Sequence, residues 1–319
     1  MFIRMKNFQD NTCRVAFQSC DDYHQDQLEE IIDQVFQALG FKVKSGSTVL
    51  LKPNLVAAGS GPDHLACSNP DFVAAAAQWC LDHGARVKVG DSPAFGSGQM
   101  VMRACGMAAA LQPLGVELVN FSRSRPIELA CGLKVPIAAE ALDCDVLLNL
   151  PRVKAHNQLY LSLAVKNYFG VVVGWRKALH HAVNGDIGTR FEELLVDLVG
   201  LFPEACSLLD GIVAMHRTGP MKGEPFPLHL IGASFDPVAM DTAIMEVIGA
   251  DKRQNLLWQE CSRRRMEGAV LAGLKFPIKN PAELIKPGFV LPEQLKPVTF
   301  HPGRLLIGAC RRMVAGILK

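Results

Sequence analysis

Between Leu150 and His181 the chain reads LPRVKAHNQLYLSLAVKNYFGVVVGWRKALHH. Lys154, His156, Lys166, Asn167, Arg176, Lys177, His180 and His181 stand there among apolar residues, and the stretch contains no Asp or Glu to pair with them. A lysine in apolar surroundings either reaches out to water or is held in a site. Burial lowers its pKa and makes it a nucleophile or a base. Lys166, set between Ala-Val and Asn-Tyr-Phe, is the candidate for that role. His156 follows a strand end and suits acid/base or ligand work, with a capping or surface histidine as the plain alternative. His180 and His181 are adjacent, so their side chains diverge, and one of the two is spare: His180 is read as catalytic and His181 as a metal ligand. With no local carboxylate, the expected partner of these cations is an anionic ligand bearing a carboxylate or a phosphate.

Elsewhere polar clusters repeatedly follow apolar runs. Lys52 and Asn54 follow TVLL, and both can donate to an anion, or else simply build the turn around Pro53. Asp91 and Ser92 follow VKV, Lys154 follows DVLL, Asp210 follows SLL, and Asp236 and Asp241 follow LIGA. Asp210, Asp236 and Asp241 carry hard oxygens that suit a divalent metal or can orient basic groups, while Asp236 is also placed to cap a helix. Phe95-Gly96-Ser97-Gly98 offers backbone N–H groups to an anion, or is a plain turn. Gly219-Pro220 and Gly223 shape a loop without chemistry of their own.

Alternating strand and helix signals must position these residues. Strands are expected at Thr48–Val56, Ala85–Val89, Val116–Phe121, Cys144–Leu150, Ser207–Leu209 and Leu228–Ala233. A helix opens with Asn69 as its cap and Pro70 in its first turn, and stops at Gly84. Further helices are expected over Met100–Leu111, over Ile187–Phe202 with Asp186 as cap, and over Val238–Val247 behind Asp236-Pro237. This order predicts an α/β fold with mostly parallel sheet covered by helices, in two lobes of residues 1–149 and 150–275. Residues 276–319 read as a proline-rich wrap and a basic terminal helix. In such sheets ligands bind outside the carboxyl ends of the strands, so the polar clusters are expected to converge on one crevice.

Composition narrows the field. The 319 residues are 49% hydrophobic with a formal net charge of only +2, which excludes a broad basic face for nucleic acid. The 10 cysteines form no CxxC pair and read as free thiols of a reducing compartment. MFIRMKNFQDN lacks the apolar segment of a signal peptide, and no apolar run reaches the ~18 residues of a membrane span. A cytoplasmic protein is expected.

Six motifs occur in order: LLKPNLV, VGDSP, LPRVKAH, AVKNYFGVVVG with a trailing K-x-x-HH, LLDGI with a later TGP-x-x-G, and SFDPVAMD. Together they resemble the domain-of-unknown-function family number 362 from about Val49 to Gly249. Many members of that family carry a ferredoxin-like module, but this chain lacks its Cys motifs, so an iron–sulfur cluster is not expected. The order of His156, Lys166 and a later His180 or His181 is also similar to lactate racemase, which holds a nickel-pincer nucleotide. That resemblance implies a cofactor-tethering role for Lys166, acid/base work for His156, and nickel ligation by a later histidine. It leaves a divalent metal or a nucleotide-like cofactor open.

The sequence thus points to an enzyme working on a small anionic metabolite by proton or hydride chemistry, isomerase-like or oxidoreductase. Lys166, His156 and His180 are the expected catalytic groups, and Lys52, Asn54, Asp91, Ser92, Lys154, Asn167 and Lys177 the ligand-binding ones. The alternative is a non-catalytic carrier of an anionic cofactor or a redox partner.

Overall fold

The computed structural model describes residues 13–58, 65–93, 96–173, 190–202 and 204–296. Its strands are β1 (Ala16–Ser19), β2 (Thr48–Pro53), β3 (Arg86–Asp91), β4 (Glu117–Asn120), β5 (Ser124–Glu128), β6 (Lys134–Ala138), β7 (Val146–Leu150), β8 (Arg152–His156), β9 (Tyr160–Ser162), β10 (Ala205–His216) and β11 (Glu224–Ser234). Among the described residues nine strands form one sheet with a main path β1-β11-β10-β7-β2-β3-β4, to which β8 adds on β10 and β9 on β8. The β7–β10, β2–β7, β2–β3, β3–β4 and β8–β10 pairs are parallel. The β1–β11, β10–β11 and β8–β9 pairs are antiparallel. The fold is mixed α/β with a large, mostly parallel sheet flanked by helices. Strands β5 and β6 form a separate hairpin.

The central strands are apolar runs because they are covered on both faces. All five residues of β7 are buried, as are Val49 to Pro53 of β2. One cover is built by the helix Gln25–Leu39, which buries Leu28, Ile31, Ile32, Val35, Phe36 and Leu39. It packs on the helix Pro70–Asp82, where the Phe36 and Trp79 rings lie 4.6 Å apart. The helix Arg190–Val199 buries Phe191, Leu194, Leu195 and Leu198 in a second cluster with Leu50 and Leu147.

Asn69 caps the Pro70–Asp82 helix, its side chain accepting the amides of Asp71 at 2.8 Å and Phe72 at 3.2 Å. Asn69→Ala frees both amides, and urea denaturation should read a loss of about 1 kcal/mol with no change in denaturant dependence.

The chain does not part into two sheets at Leu150. Strand β7 pairs with β2 on one side and β10 on the other. Pro151 breaks the strand, yet its carbonyl still accepts the Asp210 amide at 2.9 Å, and β8 continues along β10. Strands expected in a first lobe and in a second therefore share one sheet. Residues 275–296 run over the domain, tied by backbone bonds such as Arg217 N–H to Val290 O at 2.8 Å and Lys296 N–H to Asn157 O at 2.7 Å. The expected terminal helix lies outside the described residues.

From β2 the chain moves to β3 and β4 on one side, while β7 lies on the other. The carboxyl ends of β2 and β7 thus flank a point where strand order reverses, the place where open α/β sheets bind ligands.

Candidate functional site

At that point the sheet register sets Lys52 of β2 beside Asn149 of β7, and Asp91 closes β3 next door. Lys52 is wholly buried, and its Nζ lies 2.9 Å from Asp91 Oδ1. It also donates to the Pro53 carbonyl at 3.2 Å, while Asp91 Oδ2 accepts the Leu55 amide at 2.9 Å. Gly170 lies against this pair. A Cβ there would press on Asp91 Oδ1 and Lys52 Nζ. Its carbonyl accepts the Ser92 amide at 3.0 Å. Gly170→Ala should therefore cost about 1–3 kcal/mol in chemical denaturation, because a buried ion pair has little room to shift.

Lys154 enters from β8, equally buried, and donates to Asn54 Oδ1 and to the Ala66 carbonyl at 2.6 Å. Side-chain amides then link the strands. Asn54 Nδ2 donates to Asn167 Oδ1 at 2.7 Å, and Asn167 Nδ2 donates to Asn149 Oδ1 at 2.8 Å. Asn149 Nδ2 completes the chain on the Ala164 carbonyl and on Ser207 Oγ, both at 3.1 Å. Each amide is spent on a neighbour, which fixes the orientation of the whole group.

Lys166 and Asn167 sit on the one-turn helix Ala164–Asn167. Its leading amides are held by Asp241, with Ala164 N–H on Oδ1 at 2.7 Å and Val165 N–H on Oδ2 at 3.2 Å. Lys166 Nζ stands 4.7 Å from the centre of the Phe169 ring. Unlike Lys52 and Lys154 it keeps part of its surface accessible, and among the described residues it makes no hydrogen bond or ion pair.

The electrostatics follow from burial. Desolvation pushes Lys154 down to about 7, against the pull of Cys67. Desolvation, and then the neighbouring Lys154 and Lys52, push Lys166 down to about 7. Lys52 is lowered by burial while Asp91 opposes the change. His156 falls well below its ordinary value through burial and then through Lys166 and Lys154. Its Nδ1 accepts the Gln158 and Leu159 amides, each at 3.2 Å, so the neutral ring carries its proton on Nε2. His156 can then donate from Nε2, while Nδ1 is occupied.

The structure brings Lys52, Asn54, Asp91, Lys154 and Asn167 into one bonded group, with His156, Lys166 and the Ser92 backbone adjoining. It does not bring in Asp236, which caps the helix Pro237–Val247 by accepting the Val238 amide at 2.8 Å. Asp210 serves a neighbouring group: it accepts from Tyr23 Oη at 2.8 Å and pairs with Arg152 at 3.7 Å. Asp241 holds helix amides instead. Asp210, Asp236 and Asp241 thus do not share one site among the described residues, and His181, read with them, lies outside those residues. Each carboxylate is committed to the scaffold, and no cluster of three His, Cys, Asp or Glu among the described residues is placed to hold a metal ion. Lys177, His180, His181 and Phe95 lie outside the described residues.

Sequence reasoning missed Gly170, Tyr23, Ser68 and Cys67. Ser68 Oγ ties the Asn54 amide to the Leu150 carbonyl at 2.8 and 2.7 Å. The Cys67 thiol is drawn down by its hydrogen bond with Cys105, then by the Val56 amide and Lys154. Gly170 stands inside the motif AVKNYFGVVVG, which could have marked it, while Tyr23, Ser68 and Cys67 stand in no pattern that singles them out before the loops are closed. The TGP loop does lie beside the site: Asn157, next to His156, donates to Thr218 Oγ1 at 2.8 Å.

Comparison with known proteins gives a consistent family. The profile of the family described as Domain of unknown function (DUF362) matches residues 49–246. A thylakoid-associated protein of Synechocystis sp. is 37% identical over 269 residues, covering 84% of this chain and 83% of that protein. Among solved structures, the lactate racemase apoprotein of Thermoanaerobacterium thermosaccharolyticum aligns with a TM-score of 0.44 at 10% identity over 73% of this chain. A structural-genomics protein from Thermotoga maritima aligns with a TM-score of 0.42 at 12% identity over 66% of this chain. The chain spans 57% and 55% of the lengths of those two proteins. No helix among the described residues is long and apolar enough to cross a membrane.

Proposed function

The chain belongs to the DUF362 family, and from that premise we propose that it is an enzyme acting on a small anionic metabolite by proton chemistry at Lys166. One observation carries the reading. Lys52 and Lys154 are wholly buried near the strand-order switch, Lys166 feels both as neighbouring cations, and among the described residues Asp91 is the carboxylate paired with one of the three, Lys52. Lys154 and Lys166 have no carboxylate partner among the described residues, and an unpaired charge held away from water costs several kcal/mol of desolvation. An anion placed among them offsets that cost.

The groups then divide by their surroundings. Lys52 and Lys154 have oxygen acceptors that favour their charged forms, so they supply the field that holds the anion. Lys166 has no such acceptor among the described residues, and burial with the neighbouring Lys154 and Lys52 lowers it to about 7, so it can act as a base near neutral pH. His156, neutral and protonated on Nε2, is the complementary donor. This pairing fits abstraction and return of a proton beside a carboxylate, as an isomerase requires. Free cysteines throughout the described residues suit a reducing compartment such as the cytoplasm.

Thermal unfolding with and without oxalate tests the reading. An anion raises the proton affinity of the lysines, so its binding takes up protons. Oxalate should stabilise the protein more at about pH 6.5 than at about pH 8.5. Absence of stabilisation by oxalate or by inorganic phosphate at either pH would remove the anion site. Tight binding of a co-purifying anion that is never turned over would instead favour a carrier.

A further inference from the structure

Resting on that reading of the site, we propose that Lys166 is a nucleophile toward carbonyls, and that the ligand is a small oxo acid, a carboxylate carrying a ketone or aldehyde, which it holds as an imine. Three features point there. Lys166 is the lysine of the cluster with accessible surface, whereas Lys52 and Lys154 are wholly buried. It is the one with no acceptor among the described residues, so its nitrogen lone pair is not blocked by bonds that demand the ammonium form. Lys154 and Lys52 act on it as nearby cations, and a neighbouring cation is an established way to keep a lysine neutral and reactive. The effect of burial and of Lys154 and Lys52 on its proton affinity agrees with this placement.

The rest of the cluster selects the ligand. A simple aldehyde would gain nothing from Lys52 and Lys154, whereas a carboxylate is drawn in by their field. The same carboxylate offsets the positive charge of the imine nitrogen when it is protonated. The step needs no co-reactant. The Lys166 amine adds to the carbonyl carbon, forming a C–N bond. The two amine hydrogens leave with the carbonyl oxygen as one water, and a C=N bond remains. An imine at that position withdraws electrons from the adjacent carbon, which makes a neighbouring proton or carboxyl group easier to remove.

The full chain is incubated with pyruvate or with glyoxylate, treated with sodium borohydride, and digested for peptide mass spectrometry. The expected result is an adduct on Lys166 equal in mass to the oxo acid less one oxygen atom. It should form about tenfold or more faster than on an exposed lysine such as Lys44, because desolvation and the neighbouring lysines lower Lys166 to about 7 and so favour its neutral amine. Lys166→Arg keeps a cation, cannot form an imine, and should lose the adduct while still being stabilised by oxalate. Equal labelling of Lys166 and Lys44, or no adduct on Lys166 with either probe while oxalate still binds, overturns the imine and leaves the anion site standing. Failure of both the oxo acids and oxalate to bind overturns both.

Discussion

Asp91→Asn should lower stability by about 3–5 kcal/mol, the cost of stranding one member of a buried charge pair. The substitution keeps shape and leaves an oxygen for the Leu55 amide, so the loss reports charge rather than packing. Lys52 then faces Lys154 and Lys166 with its carboxylate gone. The damage should depend on pH with a definite sign. Burial already depresses the lysines in the folded state, so between their folded and unfolded values the unfolded chain binds more protons. Stability therefore rises with pH from about 7 toward about 10. Removing Asp91 depresses Lys52 further and strengthens that trend, so the deficit of the variant should shrink as pH rises. Urea denaturation at about pH 7 and about pH 9 reads both quantities. A deficit under about 1 kcal/mol, constant with pH, would mean that the pair is not a charged one.

Lys166→Met should do the opposite, leaving the apoprotein as stable as before or more so. Methionine keeps the unbranched stem over Phe169 and removes a cation that has no acid partner among the described residues. The loss should appear in binding. A charge-assisted hydrogen bond is worth about 1.5–3 kcal/mol, so the affinity for oxalate should fall roughly ten- to a hundredfold. Calorimetric titration and thermal unfolding of the same preparation separate the two effects. A sharp drop in apoprotein stability with oxalate affinity intact would make Lys166 a structural residue.

Much of the frame was legible because the relevant signals are local. Asn69-Pro70 and Asp236-Pro237 open helices as their capping chemistry requires. The apolar runs leading to Lys52, Asp91 and Leu150 are strands whose carboxyl ends lie at the strand-order switch. Other parts were present in the sequence and not read. Leu28, Ile31, Ile32, Val35, Phe36 and Leu39 fall at helical spacing, and they form the buried face of the helix Gln25–Leu39. Strand β8 carries Arg152, Lys154 and His156, a polar pattern that in the sequence resembles a loop after a strand and not a buried strand. The burial of Arg152 and Lys154 depends on partners far away in sequence, such as Asn54, Cys67 and Val213. Strand β10 runs to His216, well past the three residues expected, because its far half pairs with β8 and β11 and not with β7. The acids show the same limit. Asp210 and Asp241 both follow apolar runs, yet a guanidinium or an amide reached only in the folded chain decides what each one serves.

We propose that the lysines at the strand-order switch carry positive charge that an anion completes. Heteronuclear NMR of lysine side chains labelled with ¹⁵N and ¹³C reads it directly. In the apoprotein, the Lys154–Lys166 pair should titrate with apparent values near 7, far below the ordinary lysine range of about 10.4. Saturating oxalate should move that transition upward, and Lys166→Met should delete one of its resonances. If every lysine titrates near its ordinary value, or if oxalate leaves the low transition where it was, the cluster is not an anion site.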